Sequence, residues 1–254
     1  MGWWFGKRSR ESVRPTYSQL EAEPAAPETH PEPAPAAPAG PTPAEALAAL
    51  RAGNAAFLAG ENNLGHVKAA DLDELQGGQN PIATIVGCAD SRTPPTILFN
   101  QGFGRLFSIR VAGNTVDRRG LASIVYAVKH LNCPLVVVMG HTGCGAVAAA
   151  EAIVDGRNEL DPSLEEMIVP IIPAVLSARR TCPVDQAVAA VEENARRVAA
   201  KLATADTSLA DAIEAGTLMV VAAVKHMGTG RVHFLDTPEP EAVETAPAAE
   251  LEPV

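Results

Sequence analysis

Pro134-Leu135-Val136-Val137-Val138-Met139-Gly140-His141-Thr142-Gly143-Cys144 is the stretch whose reading settles the fold. Leu135 to Met139 is apolar without a break, rich in valine, and bounded by Pro134 and Gly140. So short a run suits a strand better than a helix, and the unbroken pattern is that of a strand covered on both faces. Gly140 and Gly143 permit the tight dihedrals that turn a strand into a helix. Gly145–Val154 then carries helical spacing. His141 and Cys144 are therefore expected just past the carboxyl end of a buried strand.

The same alternation repeats outward. Ile82–Val86 reads as a second short buried strand and runs into Cys88-Ala89-Asp90-Ser91-Arg92. Leu106–Val111, Leu218–Val224 and Arg231–Leu235 have strand character. Pro43 opens a helix with Thr42 as its N-cap. Leu121–Leu131, Leu164–Arg180 and Val184–Ala203 have helical spacing, and Pro170 and Pro173 should divide the second of these. Strands alternating with helices predict an α/β fold: a mostly parallel central sheet flanked by helices, as a single domain with disordered tails. Ligands of such sheets bind beyond the carboxyl ends of strands, where both Cys88 and His141 fall.

The ends differ from the middle. Residues 1–43 hold nine of the 21 prolines and are mostly Pro, Ala and Glu after Leu20, so they predict a disordered arm. Residues 237–254 read as a second, acidic tail, which leaves 44–236 as the folded domain. The apolar start Met1 to Phe5 precedes Lys7 and Arg8, the reverse of a secretory leader, and no apolar run reaches the roughly 18 residues of a membrane span. A cytoplasmic location is expected. A net charge of −10 argues against nucleic acid as a partner. Four cysteines are too few for a disulfide scaffold in a chain of 254 residues, and in a reducing compartment Cys and His motifs point to metal.

Cys88, His141 and Cys144 offer two thiolates and an imidazole, a donor set that suits Zn²⁺ and leaves one tetrahedral position for water. A helix starting at Cys144 would favour its thiolate. Asp90 lies two residues from Cys88, and Arg92 two further on, so the guanidinium can hold the carboxylate ionised and oriented. An aspartate so held can accept the proton of a zinc-bound hydroxide and aim the hydroxide at an electrophile. If Arg92 lets go, Asp90 becomes a fourth zinc ligand in a closed state.

With these residues in place, the chain resembles a β-class carbonic anhydrase of the bacterial form over about Glu45 to Asp236. Asn100-Gln101-Gly102-Phe103-Gly104-Arg105-Leu106-Phe107, Arg110-Val111-Ala112-Gly113-Asn114 and the run Pro134 to His141 extend the likeness. The resemblance implies zinc on Cys88, His141 and Cys144, and a catalytic dyad of Asp90 and Arg92. It further implies a substrate pocket lined across a dimer interface by Gln79, Phe107 and Ala112. The reaction implied is CO₂ + H₂O ⇌ HCO₃⁻ + H⁺ in a homodimer or higher homo-oligomer. Two thiolates make zinc a weaker Lewis acid than three imidazoles would, so hydration should rise through the mildly alkaline range.

Two other readings compete. The same fold and metal would serve hydrolysis of CS₂ or COS, or zinc would merely staple a scaffold whose N-terminal arm docks on a partner. That arm carries Trp3, Trp4 and Phe5 beside Lys7, Arg8, Arg10 and Arg14, a pattern suited to a protein or an anionic membrane surface. Cys133, Cys182, His66, His130, His226 and His233 are expected to be structural or solvent-facing.

Overall fold

The computed structural model describes residues 40–61, 72–73, 75–182 and 184–237. The aromatic-basic start of the N-terminal arm, His66 and the tail after Thr237 lie outside the described residues. In chain order the elements are α1 (Pro43–Leu58), β1 (Ala83–Gly87), α2 (Pro95–Leu98), β2 (Leu106–Arg110), α3 (Arg118–His130), β3 (Leu135–His141) and α4 (Gly145–Val154). There follow α5 (Glu165–Ile168), α6 (Ile172–Thr181), α7 (Gln186–Ala205), α8 (Thr207–Glu214), β4 (Met219–Lys225) and β5 (Val232–Phe234). The five strands form one sheet in the order β2-β1-β3-β4-β5. All neighbours are parallel except β4 and β5, which are antiparallel.

The valines of β3 explain its central place. Every residue of the strand is buried, and alternate side chains enter opposite cores. Val136 and Val138 pack with Val86, Val147, Val191 and Leu209 on the side of the long helices. Leu135, Val137 and Met139 pack with Leu50, Ile85, Phe99 and Phe234 on the side of α1. Helix α1 begins with a reciprocal cap, in which the Thr42 side chain accepts from Glu45 N and the Glu45 side chain accepts from Thr42 N. Its buried Asn54 donates to Leu98 O and Gly230 O and accepts from Val232 N, which fastens the helix to α2 and to β5.

Several local expectations change. Strand β3 runs two residues past Met139, so His141 is its last residue and pairs with Lys225 of β4. Gly143 does make the turn, at φ +67°. Gly140 does not: it sits within the strand, where an added Cβ would lie 2.9 Å from Val191 Cγ1, so its bareness lets α7 cross β3 closely. The segment around Pro170 and Pro173 is divided, into α5, a 3₁₀ turn at Val169–Ile171, and α6. Cys182 follows the end of α6, and its thiol donates to Val184 O at 2.6 Å. Among the described residues no helix is long and apolar enough to cross a membrane.

Candidate metal centre

The carboxyl edge of the sheet gathers Cys88, His141 and Cys144. Cys88 follows β1 directly, His141 ends β3, and Cys144 is the N-cap residue of α4. One donor atom from each lies within 4.8 Å of the others, and all three residues are buried. Two donors bound to one tetrahedral Zn²⁺ would stand roughly 3.8 Å apart, so this spacing fits a shared ion. His141 Nδ1 faces Thr142 O at 3.1 Å, while Nε2 is buried without a hydrogen-bond partner. An imidazole fixed through Nδ1 and bare at Nε2 is how a ligating histidine is presented.

The Cys88 sulfur accepts backbone N–H bonds from Asp90 (3.4 Å) and Gly113 (3.3 Å). Asn194 of α7 donates to Gly113 O at 2.9 Å and so steadies the turn that reaches the sulfur. A hydrogen bond from Cys144 outweighs burial and holds the Cys88 thiol well below the usual thiol range. The same bond, followed by burial, pushes Cys144 up in spite of the backbone donors Val147 and Ala146 at the start of α4. The helix start alone therefore does not decide which sulfur ionises. By themselves the two share one proton, and a dication would favour two thiolates.

Asp90 and Arg92 meet in the bidentate pairing that their spacing suggests: Nε to Oδ1 at 3.0 Å and Nη2 to Oδ2 at 2.7 Å. Arg92 N adds a third bond, 2.8 Å to Oδ1. Arg92 and, against it, partial burial leave the Asp90 carboxyl far below the usual carboxylate range. Asp90 Oδ2 lies 3.8 Å from His141 Nε2, so an ionised carboxylate stands beside the donor cluster.

Gln79 is exposed ahead of β1. Phe107 is half-buried on the edge strand β2, its ring centroid 6.3 Å from that of Tyr126. Ala112 begins the 3₁₀ turn whose Gly113 reaches Cys88. Cys133 is buried beside Thr84 Oγ1 at 3.3 Å, and His130 stacks near Tyr126, both apart from the cluster. Two residues that the sequence reading passed over sit at the site. Arg110 donates to Cys88 O, and Lys225 lies cross-strand from His141. Lys225 could have been noticed as the single cation ending an otherwise apolar strand.

A mostly parallel sheet that assembles two cysteines, a histidine and a clamped carboxylate at its carboxyl edge is the frame of a metal-dependent α/β enzyme. The family model described as carbonic anhydrase matches residues 83–232. The chain is 35% identical over 197 residues to a carbonic anhydrase of Mycolicibacterium smegmatis, an alignment that covers 76% of this chain and 93% of the relative. Carbonic anhydrase 2 of Mycobacterium tuberculosis is 35% identical over 198 residues, with the same coverage of 76% and 93%. Among solved structures, a tetrameric β-carbonic anhydrase from Sordaria macrospora has a TM-score of 0.59 at 26% identity, covering 65% of this chain and 86% of that one. A β-carbonic anhydrase of Aspergillus fumigatus has a TM-score of 0.58 at 30% identity, covering 67% and 82%. This chain belongs to the β-carbonic anhydrase family, and its members are lyases.

Proposed function

We propose that the chain interconverts CO₂ and bicarbonate as a zinc enzyme, with Cys88, His141 and Cys144 holding the ion and Asp90 and Arg92 acting as its dyad. The observation that carries this reading is the buried donor cluster with its unpartnered imidazole nitrogen, next to a carboxylate kept ionised. Bound there, Zn²⁺ would supply the Lewis acidity that ionises water in the mildly alkaline range. The chain's own part is orientation and proton acceptance. Asp90, with both oxygens engaged by Arg92, accepts a hydrogen bond from water at the site and fixes the direction in which its lone pair meets CO₂. Release by Arg92 would free the carboxylate to close the cluster as a fourth donor.

Gln79, Phe107 and Ala112 are assigned to the substrate pocket, in an assembly of at least two copies. The exposure of Gln79 and the edge position of Phe107 support that assignment, since a second copy can reach both. Cytoplasmic action agrees with four cysteines that are all free of disulfides.

The test is metal content and CO₂ hydration on the wild type, Cys144→Ala and Asp90→Asn. Cys144→Ala should lose zinc and activity together. Asp90→Asn should keep zinc and lose activity by about 10²- to 10⁴-fold, the usual contribution of a positioned acid–base group. Full hydration by either variant overturns the reading. Release of sulfide from CS₂ without hydration of CO₂ would replace the substrate while leaving the metal centre standing.

A further inference from the structure

Beyond Gly87 the chain leaves the sheet, and the segment Cys88–Thr93 carries both a metal donor and the dyad. Its carbonyls at positions 88, 90 and 92 are met by side chains from the ends of two other strands. Arg110, the last residue of β2, donates through Nε to Cys88 O at 2.9 Å and through Nη2 to Asp90 O. Lys225, the last residue of β4, donates through Nζ to Arg92 O at 3.4 Å. Thr93 closes the segment from within, its hydroxyl donating to Asp90 O at 3.0 Å. Three carbonyls at positions 88, 90 and 92 are thus held by two cations, one from each side of the β1–β3 pair.

The pattern separates two tasks. Arg110 holds the Cys88–Ala89 and Asp90–Ser91 peptide units, and so sets where the Cys88 sulfur and the Asp90 carboxylate stand relative to one another. Lys225 is only 6% exposed and reaches the carbonyl of Arg92. It acts on the guanidinium end of the dyad and leaves the sulfur alone. Neither side chain donates to the Asp90 carboxylate itself, whose bonds come from Arg92.

We propose that Arg110 and Lys225 are positioning residues, bracing the Cys88–Arg92 segment through its main-chain carbonyls so that the metal donor and the dyad keep one fixed geometry. The proposal rests on the zinc-enzyme reading above, and its test separates the two. Arg110→Met and Lys225→Met are prepared as the zinc-loaded full chain. Zinc affinity is read by chelator competition, and kcat and KM for CO₂ are read separately. Loss of a partner that orients metal ligands costs about 10- to 100-fold in affinity or turnover.

Arg110→Met should lose about that much in zinc affinity and in kcat, with KM little changed. Lys225→Met should lose kcat with wild-type zinc affinity. Arg110→Lys, with a single ammonium, should restore part of both losses; it carries the same test if Arg110→Met does not fold. Wild-type zinc affinity and kcat in both Met variants, with only a lower melting temperature, would overturn the proposal. Equal losses of zinc in the two variants would do the same, because the division of labour would be gone. If the wild-type chain holds zinc but does not hydrate CO₂, the function reading fails, and the brace is judged by the zinc competition alone.

Discussion

Gly140→Ala tests the link between helix packing and the donor cluster. The new Cβ would stand 2.9 Å from Val191 Cγ1 and 3.4 Å from Val191 O. Carbon atoms in contact prefer about 3.5–4.0 Å, so roughly 0.6 Å or more must be found between β3 and α7. Val191 cannot swing aside freely, because a β-branched side chain in a helix is held to one rotamer. Overpacking of this kind costs about 1–3 kcal/mol, or roughly 2–4 °C of melting temperature for each kcal/mol in a domain of this size. The strain falls one residue before His141, so zinc affinity should fall as well. Val191→Ala alone opens a hole and costs about 1.5–3 kcal/mol. In the double variant the added methyl occupies the space that the valine vacated, so the two effects should couple favourably by about 1–3 kcal/mol. Thermal unfolding of the four proteins, with zinc competition on each, reads this out. Strict additivity would refute the account of Gly140 as the place where α7 crosses β3.

Other outcomes follow from the same geometry. Asn54→Ala leaves two carbonyls and one amide without the side chain that serves them, and should cost about 2–4 kcal/mol with little effect on turnover at permissive temperature; an unchanged melting temperature would contradict it. In the metal-free chain the bond between the two thiols holds Cys88 well below the usual thiol range and pushes Cys144 up, so one thiolate per chain should persist through mildly acid pH. Since a depressed group stays ionised below the usual thiol range, the ultraviolet thiolate band should persist where an ordinary thiol has lost it and fade only on further acidification, and Cys88→Ala should remove it. CO₂ hydration should climb through the mildly alkaline range, because two thiolates already offset the charge of Zn²⁺; a profile flat from acid to alkaline pH would speak against that donor set.

The buried strands were readable because parallel strands in the middle of a sheet are apolar on both faces, and Leu135–Met139 and Ile82–Val86 carry that pattern in the open. The spacing of Asp90 and Arg92 was enough to anticipate their pairing, since two residues of loop bring a guanidinium onto a carboxylate. What stayed hidden depends on residues distant in sequence. Gly140 looks like a turn glycine until Val191, fifty-one positions on, is seen lying across it. Helix α8 was missed because it restarts at once after α7, with Asp206 as the break: its extended backbone ends one helix, and its carboxylate caps the next at Ser208 N. Helix α2, four residues opened by Pro95 at its first position, is too short to show helical spacing. Arg110 and Lys225 donate to main-chain carbonyls, and although the lone cation ending β4 stands out, no residue pattern announces which carbonyl it meets.

The two-sided packing of β3 makes chain length between Pro134 and His141 a functional quantity. Even-numbered residues there turn toward α7 and odd-numbered ones toward α1. Inserting or deleting one residue would exchange the two sets, bury each valine against the wrong neighbours, and swing the imidazole to the opposite face of the sheet. Substitution of one β-branched residue for another inside this strand should therefore be borne far better than any change in its count.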